Sequence, residues 1–216
     1  MIKFKVCCIR SVKEAELAIR YGASAIGLVS AMPSGPGPIP EEKIAEIAAT
    51  VPSYIDTFLL TSLQRADEII EQHRRCGTTT IQIVDELLHG TYDDIRSALP
   101  EIKIVQVLHV GSEKSIEEAR GIAPRVDAIL LDSGNPTAKV KTLGGTGNVH
   151  DWDVSRRIVE SVSVPVYLAG GLNPGNAAEA IRTVQPFALD ICSGLRTDDQ
   201  LDEEKLRAFV DAIKSY

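Results

Sequence analysis

Aromatic side chains are scarce in this sequence. One Trp, four Phe and five Tyr make up only 5% of its 216 residues, so any core must rest on aliphatic packing. An excess of cationic charge is also missing: 23 Lys and Arg face 30 Asp and Glu, for a net charge of −7. That balance argues against a general polyanion-binding surface, and no nucleic-acid partner is expected, although a local anion pocket is still allowed. No apolar run approaches the length needed to cross a bilayer, and the opening MIKFKVCCIR has no signal-peptide hydrophobic region, so no membrane partner is expected. Cysteines are few (Cys7, Cys8, Cys76 and Cys192) and show neither CxxC nor Cys/His ligand spacing, so no metal site is expected. Vicinal cysteines rarely form a structural bridge, and a reducing cytoplasm is the simplest location. Hydrophobic residues at 44% and charged residues at 25% are ordinary for a folded globule. Without a linker or a break in composition, residues 1–216 read as one domain.

The apolar residues recur with a clear rhythm. Short runs rich in branched side chains fall at Phe4–Cys8, Ala25–Val29, Ile55–Leu60, Thr79–Val84, Ile104–His109, Ala128–Leu131, Val164–Ala169 and Phe187–Cys192. They are continuous rather than alternating, as parallel strands covered on both faces require. Between them lie amphipathic stretches at Val12–Tyr21, Glu41–Ala49, Gln64–Arg75, Tyr92–Ala98, Ser112–Ile122, Val154–Ser161, Pro174–Thr183 and Asp202–Ser215. Asn173-Pro174 has the pattern of an N-cap followed by proline at the first helical position, and Asp151 that of a cap before Trp152. Eight strands alternating with eight helices predict a (β/α)8 TIM barrel. The alternative, an open doubly wound sheet, lacks a G-x-G-x-x-G after its first strand in the dinucleotide-binding version.

Barrel chemistry sits at the C-terminal ends of the strands. That rule selects Cys7-Cys8 at the end of strand 1 and Asp132 at the end of strand 6. It also selects Gly170-Gly171 after strand 7, and Asp190 and Ser193-Gly194 at the end of strand 8. Glycines after strands 7 and 8 let backbone N–H groups approach a phosphate, which needs no basic residue. Cys7 and Asp132 can form a base and acid pair across the mouth. The plainer readings are a buried apolar thiol at Cys7 and a loop hydrogen-bonder at Asp132. Strand alternation predicts that Cys8 turns away from the side Cys7 faces. Cys76 and Cys192 read as packing residues, His73, His89 and His109 as structural or solvated, and the acidic run Asp198, Asp199, Asp202, Glu203 and Glu204 as a solvated start to the last helix.

Four blocks resemble the phosphoribosylanthranilate isomerase family over nearly the whole chain. They are Lys5-Val6-Cys7; Leu131-Asp132 with Gly144-Gly145-Thr146-Gly147 and Asp151-Trp152; Leu168-Ala169-Gly170-Gly171-Leu172-Asn173-Pro174-Gly175-Asn176; and Leu189-Asp190-Ile191-Cys192-Ser193-Gly194. The resemblance implies an Amadori rearrangement of an aminoaldose to a 1-amino-1-deoxyketose in tryptophan biosynthesis. In it the aspartate at Asp132 is the general acid and the cysteine at Cys7 the general base. Gly145, Gly170, Gly171, Asp190, Ser193 and Gly194 would hold the phosphorylated sugar. No metal or organic cofactor is implied, and the chain is expected as a monomer or a homodimer. The departures cluster where the aglycone would bind. Cys8-Ile9-Arg10 replaces the usual G-[IL]-T. Ser34-Gly35-Pro36-Gly37-Pro38 carries no arginine where the family has one for the anthranilate carboxylate. Gln82-Ile83-Val84-Asp85 lacks the histidine of Q-L-H-G, and Gly194-Leu195-Arg196 replaces G-[VI]-E. Arg10 and Arg196 are the candidate replacements for the carboxylate clamp, and Arg10 a candidate source of positive field for Cys7. A paralogue acting on another phosphosugar, or a non-catalytic phosphosugar-binding protein, are the alternative readings.

Overall fold

In the computed structural model, which describes residues 2–134 and 150–216, eight parallel strands close into a barrel in sequential order. The strands are β1 (Lys3–Val6), β2 (Ala25–Val29), β3 (Asp56–Thr61), β4 (Thr80–Ile83), β5 (Lys103–His109), β6 (Ala128–Asp132), β7 (Val166–Leu168) and β8 (Ala188–Ile191). The helices are α1 (Val12–Arg20), α2 (Glu41–Thr50), α3 (Ala66–Cys76), α4 (Tyr92–Ala98), α5 (Lys114–Ile122), α6 (Trp152–Ser161), α7 (Ala177–Val184) and α8 (Glu203–Ile213). The expected barrel is therefore the one observed, and the open sheet is not. No helix among the described residues is long and apolar enough to cross a membrane.

Two apolar layers explain why the strands read as continuous runs. One face of each strand packs outward on the helices, where Phe4, Ile26, Leu59, Ile81, Ile104, Ile129 and Leu189 are all but fully buried. The other face fills the barrel with Ala25, Phe58, Val105, Val107, Ala128 and Leu130. Both faces are buried, so the few polar side chains within the strands, among them Lys5, Thr80, Gln82 and Asp190, are buried with the apolar ones. Helix starts are fixed locally. Ser11 accepts the Glu14 N–H, Thr91 and Asp94 form a capping box, and Asp151 and Asp202 each accept two backbone N–H groups at the starts of α6 and α8. Trp152 opens α6 as expected and packs on the core.

Three local expectations need correction. The Asn173-Pro174 pair does not cap α7, which starts three turn residues later with Asn176 at its N-cap. Asn173 instead accepts the Gly175 N–H, closing a tight turn of its own. The acidic run does not simply open α8. Asp198 and Asp199, with φ of 48° and 61°, form the turn of a small hairpin between β9 (Arg196–Thr197) and β10 (Gln200–Leu201), and only Asp202 caps the helix. Finally, Cys7 and Cys8 lie beyond the end of β1 rather than within it.

Candidate active site

The C-terminal ends of the strands surround an open cleft of about 690 Å³. Cys7, Asp132, Gly170, Gly171, Asp190 and Ser193 all line it, so residues up to 186 positions apart in the chain share one mouth. Gly145 lies outside the described residues.

Cys7 is held from below. Its N–H donates to the Ile191 carbonyl at 2.8 Å, so the β1–β8 ladder runs one residue past the strand end. Alternation then places the Lys5 side chain on the same inner face, one layer deeper. Both approach Gly27 of β2: a Cβ there would lie 2.7 Å from the Cys7 sulfur and 3.1 Å from Lys5 Cε, so glycine makes room for the pair. Lys5 is fully buried, and its ammonium donates to Asp190 Oδ2 at 2.7 Å. Asp190 is the residue opposite Lys5 in the β1–β8 register. Burial alone would lower the Lys5 pKa, but Asp190 and Cys7 outweigh it and hold the ammonium above its usual value. Asp190 therefore forms part of the floor under Cys7 and also lines the cleft beside the glycine turns. Its Oδ1 is buried without a hydrogen-bond partner and faces a site that it helps to line.

Asp132 is the last residue of β6, and its Oδ1 accepts the Ser133 N–H at 2.7 Å. Burial pushes its carboxyl up to about 6, with Asp190 adding repulsion. Burial also pushes the Cys7 thiol up to about 11, partly offset by Lys5 and reinforced by Asp190. A carboxyl raised toward neutrality holds its proton to a higher pH than an ordinary aspartate, as a general acid would. To act as a base the thiol would have to lose its proton, and the positive charge beneath it comes from Lys5 rather than Arg10.

The two glycine turns are built against each other. Gly170 and Gly171 have φ of 82° and 65°, which only glycine adopts without strain. Asn176 Nδ2 donates to the Gly171 carbonyl at 3.0 Å and fixes that peptide. Across from it, Ser193–Leu195 form a single 3₁₀ turn. A Cβ on Gly194 would sit 2.1 Å from the Leu172 carbonyl oxygen, so the turns after β7 and β8 are in direct backbone contact. Bare backbone on both sides of a cleft is what an anion cradle requires.

Arg10 and Arg196 do not line the mouth. The Arg196 guanidinium is largely buried and donates to both carboxylate oxygens of Glu14, to the Asp199 carbonyl at 2.7 Å and to the Cys8 carbonyl. Arg10 reaches only toward Asp199, and its own N–H donates to Glu14. Both arginines thus knit the β9–β10 hairpin to the start of α1. Among the described residues lining the cleft there is no lysine or arginine. Met32, Ser34, Gly35 and Pro36, from the segment after β2, form the wall where an aglycone would rest.

The largest departure from expectation concerns two cysteines. Cys8 does not turn away from the mouth. It has φ of 62°, in the left-handed region, so strand alternation no longer applies to it. Its side chain is joined to Cys192, which is therefore not a simple packing residue, in a disulfide spanning a Cα–Cα distance of 5.9 Å. Both cysteines line the cleft. Cys7 and Cys76 are the free thiols, both buried, and Cys76 packs in α3 as expected. Sequence reasoning also missed Glu14 and Lys5. A lysine two residues before Cys7 in an otherwise apolar run was the available signal for Lys5, whereas nothing local marked Glu14. His150 was passed over as well: it is half-buried beside Gly170, both ring nitrogens are shielded and without a partner among the described residues, and burial lowers its pKa to about 4.

Comparison with known proteins decides the family. The model of N-(5'-phosphoribosyl)anthranilate (PRA) isomerase matches residues 4–212. The chain belongs to the N-(5'-phosphoribosyl)anthranilate isomerase family. The second such isomerase of Methanosarcina mazei is 38% identical over 216 residues, covering 99% of this chain and 95% of its own. That of Haloferax volcanii is 35% identical, covering 100% of this chain and 94% of its own. The fold matches a phosphoribosyl anthranilate isomerase solved in complex with reduced 1-(o-carboxyphenylamino)-1-deoxyribulose 5-phosphate, with a TM-score of 0.81, 22% identity and full coverage of both chains. The resemblance in the four sequence blocks thus extends to the whole chain.

Proposed function

We propose that this chain catalyses the reaction its family is named for, the rearrangement of N-(5'-phosphoribosyl)anthranilate to the corresponding 1-amino-1-deoxyribulose 5-phosphate in tryptophan biosynthesis. The observation that carries this reading is the convergence of Cys7 and Asp132 on one mouth that also contains two interlocked glycine turns. In this reading Asp132 gives its proton to the furanose ring oxygen, the C1–O bond breaks, and the anilino nitrogen takes up the positive charge as an iminium. Cys7 then removes the C2 proton, and the resulting enamine tautomerises to the ketose. A hydrogen moves within one molecule, so no redox partner enters the balance. The turns at Gly170-Gly171 and Ser193-Gly194 hold the phosphate through backbone N–H groups. Asp190, with Oδ1 unpaired beside Cys7, accepts a hydrogen bond from a sugar hydroxyl.

One observation favours a second reading. Among the described residues the cleft offers no cationic side chain for a ligand carboxylate. A substrate with the same phosphosugar and an uncharged aglycone fits that wall equally well. Fluorescence decay of phosphoribosylanthranilate with the purified chain separates the two. Turnover abolished by Cys7→Ala and by Asp132→Asn supports the first reading. An inactive parent that still binds inorganic phosphate supports the second, and activity surviving in both variants refutes the assigned chemistry.

A further inference from the structure

The seam between β1 and β8 is where the barrel closes. Its last hydrogen bond is Cys7 N–H to the Ile191 carbonyl, and the next residue on each side is Cys8 and Cys192. The disulfide therefore continues the ladder covalently across 184 positions of sequence. One of its ends is bonded directly to the residue after Cys7, and the other to the residue before Ser193. No other covalent tie in the described structure joins the proposed base to the proposed phosphate turn.

Three loops meet at Cys8. The Arg196 guanidinium donates to its carbonyl. A Cβ on Gly37 would fall 2.7 Å from Cys8 Cβ, so the segment after β2 packs directly on it. Its sulfur lies 3.7 Å from the Pro36 carbonyl oxygen. A reduced Cys8 thus already has an acceptor for its S–H. What reduction does release is the constraint holding a non-glycine residue at φ of 62°. Cys8 is buried, but Cys192 is partly exposed at the open mouth, so a small dithiol attacks the bond from the Cys192 side. In a reducing compartment such bonds are transient and regulatory rather than permanent.

We propose that Cys8–Cys192 is a reversible thiol–disulfide site that fixes the spacing between the Cys7 end of β1 and the Ser193-Gly194 turn, and so tunes binding of the phosphorylated substrate. The proposal rests on the isomerase reading only for its activity readout. The chemistry is balanced by a dithiol: it gives two electrons and two protons to the S–S bond, leaving two thiols on the chain, and becomes a disulfide itself. Cys8 and Cys192 act as positioning residues, not as partners of the substrate. Substrate in the mouth covers the bond and slows its reduction.

The test begins with a thiol count in denaturant. Chain purified without reductant shows two free thiols, Cys7 and Cys76, and four after dithiothreitol. With phosphoribosylanthranilate, reduction raises KM at least fivefold while kcat changes less than twofold, and reoxidation restores KM. Cys192→Ser is fixed at the reduced value and ignores dithiothreitol, whereas Cys76→Ser responds like the parent. Four thiols before reduction overturn the proposal. So does a KM that stays within twofold when the count shows the bond open, or a Cys192→Ser variant that still responds. If no turnover is seen in either state, the isomerase reading fails, and calorimetric binding of inorganic phosphate decides the inference alone: weaker binding after reduction sustains it, and equal binding overturns it.

Discussion

Gly194→Ala is the substitution that bears most directly on the proposed phosphate cradle. The added Cβ would lie 2.1 Å from the Leu172 oxygen and 3.0 Å from both the Leu172 carbonyl carbon and Asn173 Cα. All three are backbone atoms, and Leu172 is buried, so no flexible side chain can yield. Restoring ordinary contact requires the two turns to part by roughly 1 Å, since real Cβ contacts essentially never fall under 3.0 Å. Overpacking of this kind costs about 1–3 kcal/mol of stability. For a chain of this size that is a fall in Tm of about 2–12 °C. The functional loss is larger, because a misplacement of about 1 Å in a positioning element can cost on the order of 100-fold in rate. We therefore expect kcat/KM to fall about 100-fold, mostly through KM for the phosphorylated substrate, with the circular-dichroism spectrum unchanged. Gly121→Ala is the internal control. Nothing lies within 4 Å of its added Cβ, and it sits inside α5. Alanine there should stabilise the helix by about 0.5–1 kcal/mol and leave kinetics untouched. If Gly194→Ala binds inorganic phosphate and turns over as the parent does, the two turns do not form the anion site.

Cys7→Ala and Asp132→Asn should each lower kcat/KM by about 100-fold to 10,000-fold, measured by substrate fluorescence with the fold monitored in parallel. With the acid group titrating near 6 and the thiol near 11, kcat/KM should fall below about pH 6 and hold level through pH 8, and a maximum confined to pH 4–5 would contradict the assignment. Because burial raises the folded-state pKa of Asp132, its ionised form destabilises the fold, and stability should rise as pH falls from about 6 toward 4. Asp132→Asn should accordingly raise Tm at pH 8 and not at pH 4. For Glu14 the sign is opposite. Burial raises its pKa, but Arg196 and the Leu201 and Arg10 N–H groups outweigh this and lower it, so its contribution is present above its ordinary pKa and lost in more acidic solution. Glu14→Gln should cost on the order of 1.5–3 kcal/mol at pH 7 by chemical denaturation and little at pH 3, and equal costs at both would refute the charge-based account.

The sequence by itself determined the elements and their order. Continuous branched runs such as Ala25–Val29 and Ala128–Asp132 are dry on both faces, so their pattern shows in a few adjacent residues. Once eight strands alternate with helices, the mouth follows, because strand ends are local features, and Cys7, Asp132 and the glycine turns could be named from position alone. What escaped was set by contacts between distant residues. Lys5 and Asp190 pair across 185 positions, Arg196 and Glu14 across 182, and Cys8 and Cys192 bond across 184. Barrel closure brings the first strand against the last, and no local pattern records that meeting. Arg196 looked free to clamp a carboxylate until the hairpin laid it on Glu14. Cys8 looked turned away until its backbone left the strand at φ of 62°, a conformation that propensity disfavours and only the packing of three loops and one covalent bond sustains.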